Sequence, residues 1–260
     1  MELLDSLLDD ETLVRRPQAR AAAVVPDHLE LRGAYGRQLA TLVVPDGQLA
    51  AVARHVPAGI TLPVSVIISG GAGGLLGLPR RKLPGIQIVS AEPGLRDFDD
   101  LAGSAARVVS AAAELGSETA IFVELPYAPG WSAAVEMVEA AGLAGKIVAD
   151  DTKPRETAEQ LSILIEADLP FKVTSQSGSS WLSLLTAVGA LIDGASTDDA
   201  AELIQFNGNV QANGNVHIIP PGSPGEGTSW SRIRRRVRRF GTDRVADVIN
   251  EYAAWQSRGR

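Results

Sequence analysis

The sequence predicts an α/β fold, a (β/α)8 barrel built as one domain over residues 1–260. Three observations predict it. Short apolar runs alternate with longer Ala/Leu-rich runs of helical period from residue 39 to residue 194. The strand-like runs are hydrophobic almost throughout, the mark of parallel strands covered by helices. The length of 260 residues matches the roughly 250 typical of this closed barrel. The open doubly wound sheet is the alternative, but GGAGGLLG at 70–77 lacks the G-x-G-x-x-G spacing and no G-x-x-x-x-G-K-[ST] occurs.

The elements follow in order. Residues 1–38 read as an N-terminal helical segment, with Leu3, Leu4, Leu7, Leu8 and Leu13 at roughly helical spacing over residues 1–20. LATLVV (39–44) is the first strand, closed by Pro45, and DGQLAAVARHV (46–56) a helix with Asp46 as its N-cap. VSVIIS (64–69) is a strand, and 70–85 makes at most a short helix. IQIVSAE (86–92), AIFVEL (120–125), AGKIVA (144–149) and FKVTS (171–175) are strands. Helices at 97–115, 131–142, 154–167 and 179–194 follow them in turn, the third with Pro154 in its first turn.

The last quarter breaks this rhythm. A helical piece at 197–204 leads to a strand near 204–206. A hairpin insertion spans 204–219, turning at Asn213-Gly214. SWSRIRRRVRRFGT (229–242) reads as a helix entering a last short strand near Arg239–Gly241, and a final helix begins after Thr242 or Asp243.

Composition removes several function classes. With 24 basic and 31 acidic residues the net charge is −7, which disfavours a nucleic-acid partner. The basic run RIRRRVRR (232–239) is read as a solvated helix face carrying Ile233, Val237 and Phe240 on its apolar stripe, paired with acids such as Asp5, Asp9, Asp10 and Glu11. The absence of cysteine excludes disulfides, zinc thiolates and thiol nucleophiles. His28, His55 and His217 are scattered, so no metal site is expected, although carboxylates able to hold a divalent metal remain. The start, MELLDSLLDDETL, has no basic n-region, and no run of about 18 apolar residues occurs, so a cytoplasmic chain without a membrane partner is expected. A homo-oligomer is compatible with all of this.

Barrel strands send alternate residues inward. If Phe171 and Val173 face the helices, Lys172 and Thr174 face in. The same alternation turns Lys146 and Asp150, Phe122 and Glu124, Ser90 and Glu92, and Ser65 and Ser69 inward. Two interior lysines need carboxylates or a lowered pKa. Three readings are open. A desolvated Lys172 beside Lys146 is a Schiff-base nucleophile, with Glu124 or Asp150 as acid or base. Glu92, Glu124 and Asp150 hold a metal. Or the group is a structural ion-pair layer. Ser177, Gly178 and Ser179 before one helix, and Thr242 with Arg244 before the last, are candidate anion contacts, and their plain alternative is N-capping.

GKIVADD (145–151), LPFKVTSQSG (169–178), the DGAS ending at 193–196 and FGT (240–242) resemble an uncharacterised bacterial family of (β/α)8 barrels from about residue 39 onward. That family carries K-I-R-x-G-G on strand five and P-F-K-A-T-A-G-L-H-H on strand six. The resemblance implies this barrel and no established activity. Lys146 matches the strand-five lysine, Lys172 the strand-six lysine and Glu124 a strand-four glutamate. Val148 stands in place of the arginine, Asp150-Asp151 in place of the glycines, and Ser175–Gly178 in place of A-G-L-H-H. KVTSQSG (172–178) also resembles the K-T-S-T-G lysine context of class I aldolases of the deoxyribose-phosphate type, an analogy at the level of fold. The expected function is lyase or aldolase-like chemistry on a small anionic carbonyl metabolite. The rival is a non-catalytic binding or scaffold barrel.

Overall fold

The computed structural model describes residues 3–81, 83–115, 118–175, 181–205 and 230–258. Eight strands close into a barrel in sequence order: β1 (Leu8–Asp10), β2 (Leu39–Pro45), β3 (Leu62–Ile68), β4 (Ile86–Pro93), β5 (Ala120–Glu124), β6 (Ala144–Ala149), β7 (Phe171–Ser175) and β8 (Val237–Thr242). Every neighbouring pair is parallel, including β1 with β8. The fold is therefore the α/β (β/α)8, or TIM, barrel that the alternating runs predict.

β2 to β7 lie where the apolar runs place them. Their helix-facing residues, among them Val64, Val66, Ile121, Val123, Ile147, Val173 and Phe171, join the helices in one buried core. Val43 and Phe122 are buried apart from that core, facing the barrel axis. Asp100 caps the helix Leu101–Ala113 by accepting from Gly103 N–H, and Pro154 opens the helix Pro154–Glu166. Asp46 does not cap its helix: its carboxylate is taken by Ser69, and Leu49–Ala53 follows a single 3-10 turn.

Three expectations are corrected. Residues 1–20 are not one helix. β1 sits inside them, and only Thr12–Arg15 is helical there, before the longer helix Ala21–Tyr35. The leucine spacing misleads because Leu7 and Leu8 close the gap between β2 and β8, which a period count cannot register. Second, Ile204 and Gln205 end the helix Thr197–Gln205 and are not strand; the remainder of the expected hairpin lies outside the described residues. Third, the basic run is divided: Trp230–Arg236 is helix and β8 already starts at Val237.

That division spends the arginines on the fold. Arg232 pairs with Asp193, Arg236 with Asp168, and Arg239 reaches Asp9 at 3.6 Å. Arg234 donates to the carbonyls of Asp5 and Val237. Burial, with Arg239 and Arg238 nearby, pushes its guanidinium down to about 10. Among the described residues no helix is long and apolar enough to cross a membrane.

Candidate functional site

The strand alternation builds a charged layer across the barrel axis. β1 turns Asp9 inward and Asp10 outward; the chain continues so that Glu11 faces in again. Thr41 of β2 donates to Asp9 Oδ1 at 2.6 Å. Ser90 of β4 donates to Ser65 of β3 at 2.7 Å, and Ser65 donates to Glu92 Oε1 at 2.6 Å. β6 supplies Lys146 and β7 supplies Lys172 and Thr174, in register with each other and with β8. Gly241 of β8 is required here, because a Cβ at that position would run into the Glu11 carboxylate and the Thr174 hydroxyl.

Lys172 is the centre of the layer. Its Nζ lies 2.8 Å from Glu92 Oε1, 3.0 Å from Asp9 Oδ2 and 3.2 Å from Glu11 Oε1, and its side chain is 0% exposed. Lys146 Nζ lies 2.8 Å from Glu124 Oε2 and 2.9 Å from Glu92 Oε2, the latter out of line for a hydrogen bond. Glu92 thus bridges the two ammonium groups. Thr174 donates to Glu11 Oε1, and Arg15 pairs with Glu11 Oε2 from outside. The charges Asp9, Glu11, Glu92 and Glu124 are matched by Lys146, Lys172, Arg15 and Arg239, as enclosed charge requires.

The balance sets protonation. Burial lowers the Lys172 pKa, but Asp9, Glu92 and Glu11 outweigh it and hold the ammonium above its ordinary range. Lys146 behaves in the same way: burial and the neighbouring Lys172 pull its pKa down, and Glu92 with Glu124 pulls it further up. Glu92 is kept well below the usual carboxylate range, burial notwithstanding, by Lys146, Lys172 and the Ser65 hydroxyl. Of the three readings open in the sequence, a deprotonated Lys172 is the one this balance disfavours. The second lysine does repel the first, but the carboxylates around both exceed that effect. In this arrangement Lys172 is an enclosed cation, not a nucleophile open to substrate.

The layer is most open at Glu124. Glu124 closes β5 and its side chain is 41% exposed, whereas its partner Lys146 is 4% exposed. This places the Lys146–Glu124 pair at the C-terminal strand ends, where barrels of this kind do chemistry. Asp150 is not brought to it. It stands half-buried past the end of β6 and accepts from Thr152 N–H and Oγ1, which hold its carboxyl below its ordinary value. Ser69 likewise lies on the exposed rim beyond β3, bonded to Asp46. Thr242 accepts from Arg244 N–H, and Arg244 is committed to Asp247 at 2.7 Å. Both Arg244 and Asp247 border a cavity of about 480 Å3 beside the helix Ala21–Tyr35, outside the barrel mouth. Ser177, Gly178 and Ser179 lie outside the described residues.

Among the described residues no group of His, Asp and Glu is arranged to hold a metal ion. The three carboxylates that converge do so on the Lys172 ammonium, which occupies the cation position. Sequence reasoning missed Asp9, Glu11, Thr41 and Arg239. The legible signal was LLDDE at 7–11, an apolar pair running into three acids, which a barrel lacking a strand before residue 39 needs.

Asp10 points the other way, between β1 and the helix Ala21–Tyr35. Its Oδ2 lies 2.8 Å from Nδ1 of the fully buried His28, and its Oδ1 accepts from Thr12. Burial raises the Asp10 carboxyl, but the His28 and Thr12 contacts outweigh it and leave the net direction downward.

No protein-family model matches the chain, and no curated protein matches it as a relative. The fold and the Lys146–Glu124–Glu92–Lys172 cluster therefore define it as a TIM barrel with a charged interior layer open at its C-terminal end.

Proposed function

We propose that the protein is an acid–base enzyme of lyase type acting on a small anionic carbonyl compound at the Lys146–Glu124 pair. One observation carries the reading: an ammonium held firmly protonated is paired at the C-terminal strand ends with a carboxylate that is itself open to solvent. A substrate carbonyl oxygen can take the place of Glu124 at Lys146 Nζ. Glu124 then accepts the proton from the carbon beside the carbonyl, and the released electron pair moves onto the oxygen, where the Lys146 cation stabilises it. The enolate pair then forms a carbon–carbon double bond as a leaving group departs from the next carbon with its bonding electrons, the carbonyl re-forms, and Glu124 passes its proton to that leaving group. Glu92 and Lys172 hold Lys146 in position and in charge. The likeness to a bacterial barrel family at Lys146, Lys172 and Glu124 brings no activity with it and supports only a cytoplasmic bacterial setting.

The alternative is a binding or scaffold barrel whose charged layer is structural, and the enclosure of Lys172 by three carboxylates favours it. The experiment separates the two. Small 2-keto acids, hydroxy acids and sugar phosphates are incubated with protein in D2O, and loss of the α-proton signal is followed by NMR. Exchange with one compound class, abolished in Glu124→Gln and Lys146→Met at unchanged fold, is the expected result. A borohydride-stable adduct lost in Lys172→Ala would replace the acid–base reading with Schiff-base chemistry. Neither exchange nor adduct with any class would leave the scaffold.

A further inference from the structure

We propose that Arg96 is the residue that grips the substrate's anionic group, an oxyanion of carboxylate or phosphate type, at the mouth of the barrel; this rests on the Lys146–Glu124 reading for its substrate but not for its binding test.

The backbone delivers Arg96 to the mouth. β4 carries Glu92 inside the barrel, then Gly94 bridges to Glu124, and Leu95 N–H donates to the Glu124 carbonyl at 3.3 Å. Arg96 is the next residue. Its own N–H donates to the hydroxyl of Ser104, buried on the helix Leu101–Ala113. Its position is thus set by the end of β5, which also bears Glu124. The side chain runs over Gly71, where an added Cβ would meet Arg96 Cγ at 3.6 Å, and the guanidinium is anchored by one donor to the Ser69 carbonyl.

The guanidinium is otherwise uncommitted. Among the described residues no carboxylate lies within 4.0 Å of it. The acids nearby are engaged elsewhere: Asp97 and Asp100 face Arg107, Asp100 also caps its helix, and Asp46 is held by Ser69 with Arg81 at 4.0 Å. Exposed Asp99 has no bond to Arg96 either. Several arginines at this end are matched with acids, as in Arg15–Glu11, Arg16–Asp243 and Arg244–Asp247, while Arg20, like Arg96, donates to backbone carbonyls. A planar fork fixed by one N–H, with its remaining donors free, suits paired oxygens of a carboxylate or phosphate better than a lysine would. Of the anion contacts read from sequence that lie among the described residues, Thr242 accepts from Arg244 N–H and the Arg244 side chain is committed to Asp247, whereas the Arg96 guanidinium faces no carboxylate.

The test uses inorganic phosphate and malonate as probes, titrated by calorimetry, with phenylglyoxal modification of the Arg96 peptide read by mass as the locator. One probe is expected to bind wild type, to protect Arg96 from modification, and to bind Arg96→Gln about tenfold more weakly, a loss of about 1.4 kcal/mol; Arg96→Lys falls between. Whichever probe binds names the anion. Glu124→Gln should bind at least as well as wild type. No binding of either probe, or equal binding by Arg96→Gln, overturns the proposal even if α-proton exchange is found. Binding lost in Arg96→Gln with no exchange in any variant would sink the enzyme and keep the anion clamp.

Discussion

Replacing Lys172 with methionine removes the one cation shared by Asp9, Glu92 and Glu11 while roughly keeping side-chain length. Each carboxylate keeps a lesser partner: Arg239 and Thr41 for Asp9, Arg15 and Thr174 for Glu11, Lys146 and Ser65 for Glu92. The arrangement then holds one uncompensated negative charge at a site with no access to water. Stranding one member of a buried pair costs about 3–5 kcal/mol, and that is the expected loss of unfolding free energy at neutral pH. Urea unfolding followed by tryptophan fluorescence measures it.

The pH dependence makes the prediction sharper. Glu92 is depressed in the folded state, so its contribution is present above its ordinary value of 4.5 and is lost as pH falls below it. Lys172 and Lys146 are raised, so theirs is complete below 10.5 and lost as pH climbs past it. Wild type should therefore hold a plateau between these limits, and the gap to Lys172→Met should narrow towards acid as a carboxylate takes up a proton. Adding Glu92→Gln to Lys172→Met should recover part of the loss, because the stranded charge is gone. A loss under about 1 kcal/mol, unchanged from pH 4 to pH 8, would refute the view that enclosed charge organises this barrel.

Two further substitutions probe the same construction. Gly241→Ala should cost about 1–3 kcal/mol in chemical unfolding, since the new methyl displaces the Glu11 carboxylate; an unchanged midpoint would show that Glu11 has room to move. His28→Leu leaves Asp10 with Thr12 alone and should cost about 1–3 kcal/mol at pH 7, with the difference shrinking below pH 4, where Asp10 can be protonated; equal losses at both pH values would mean that His28 acts by packing only.

The candidate site was partly legible along the chain. Inward placement of Lys146, Lys172, Glu92, Glu124 and Thr174 follows from alternation once the strands are found, because the side-chain period of a strand is a local property. Asp150 failed on the same rule: past the end of β6 the chain turns, and the Thr152 contacts redirect the carboxylate outward. The charge state of Lys172 stayed open for a different reason. It depends on Asp9 and Glu11, more than 160 positions away, as the separation of 163 residues for the Asp9 contact shows.

By itself the sequence determined the class of fold and six of its strands, because continuous apolar runs bounded by Pro and Gly leave few alternatives to parallel strands under helices. It also determined most of the polar residues those strands turn inward, missing Thr41 and wrongly including Asp150 and Ser69. Only the tertiary structure decided that Leu8–Asp10 is a strand and that Val237 begins another, since neither stretch has enough apolar residues to declare itself and both are specified by the gap they close. Closure also decided the chemistry. It brings the acids of β1 against the lysine of β7, and that contact, invisible in any local window, makes Lys172 an enclosed cation and leaves Lys146 with Glu124 at the open end.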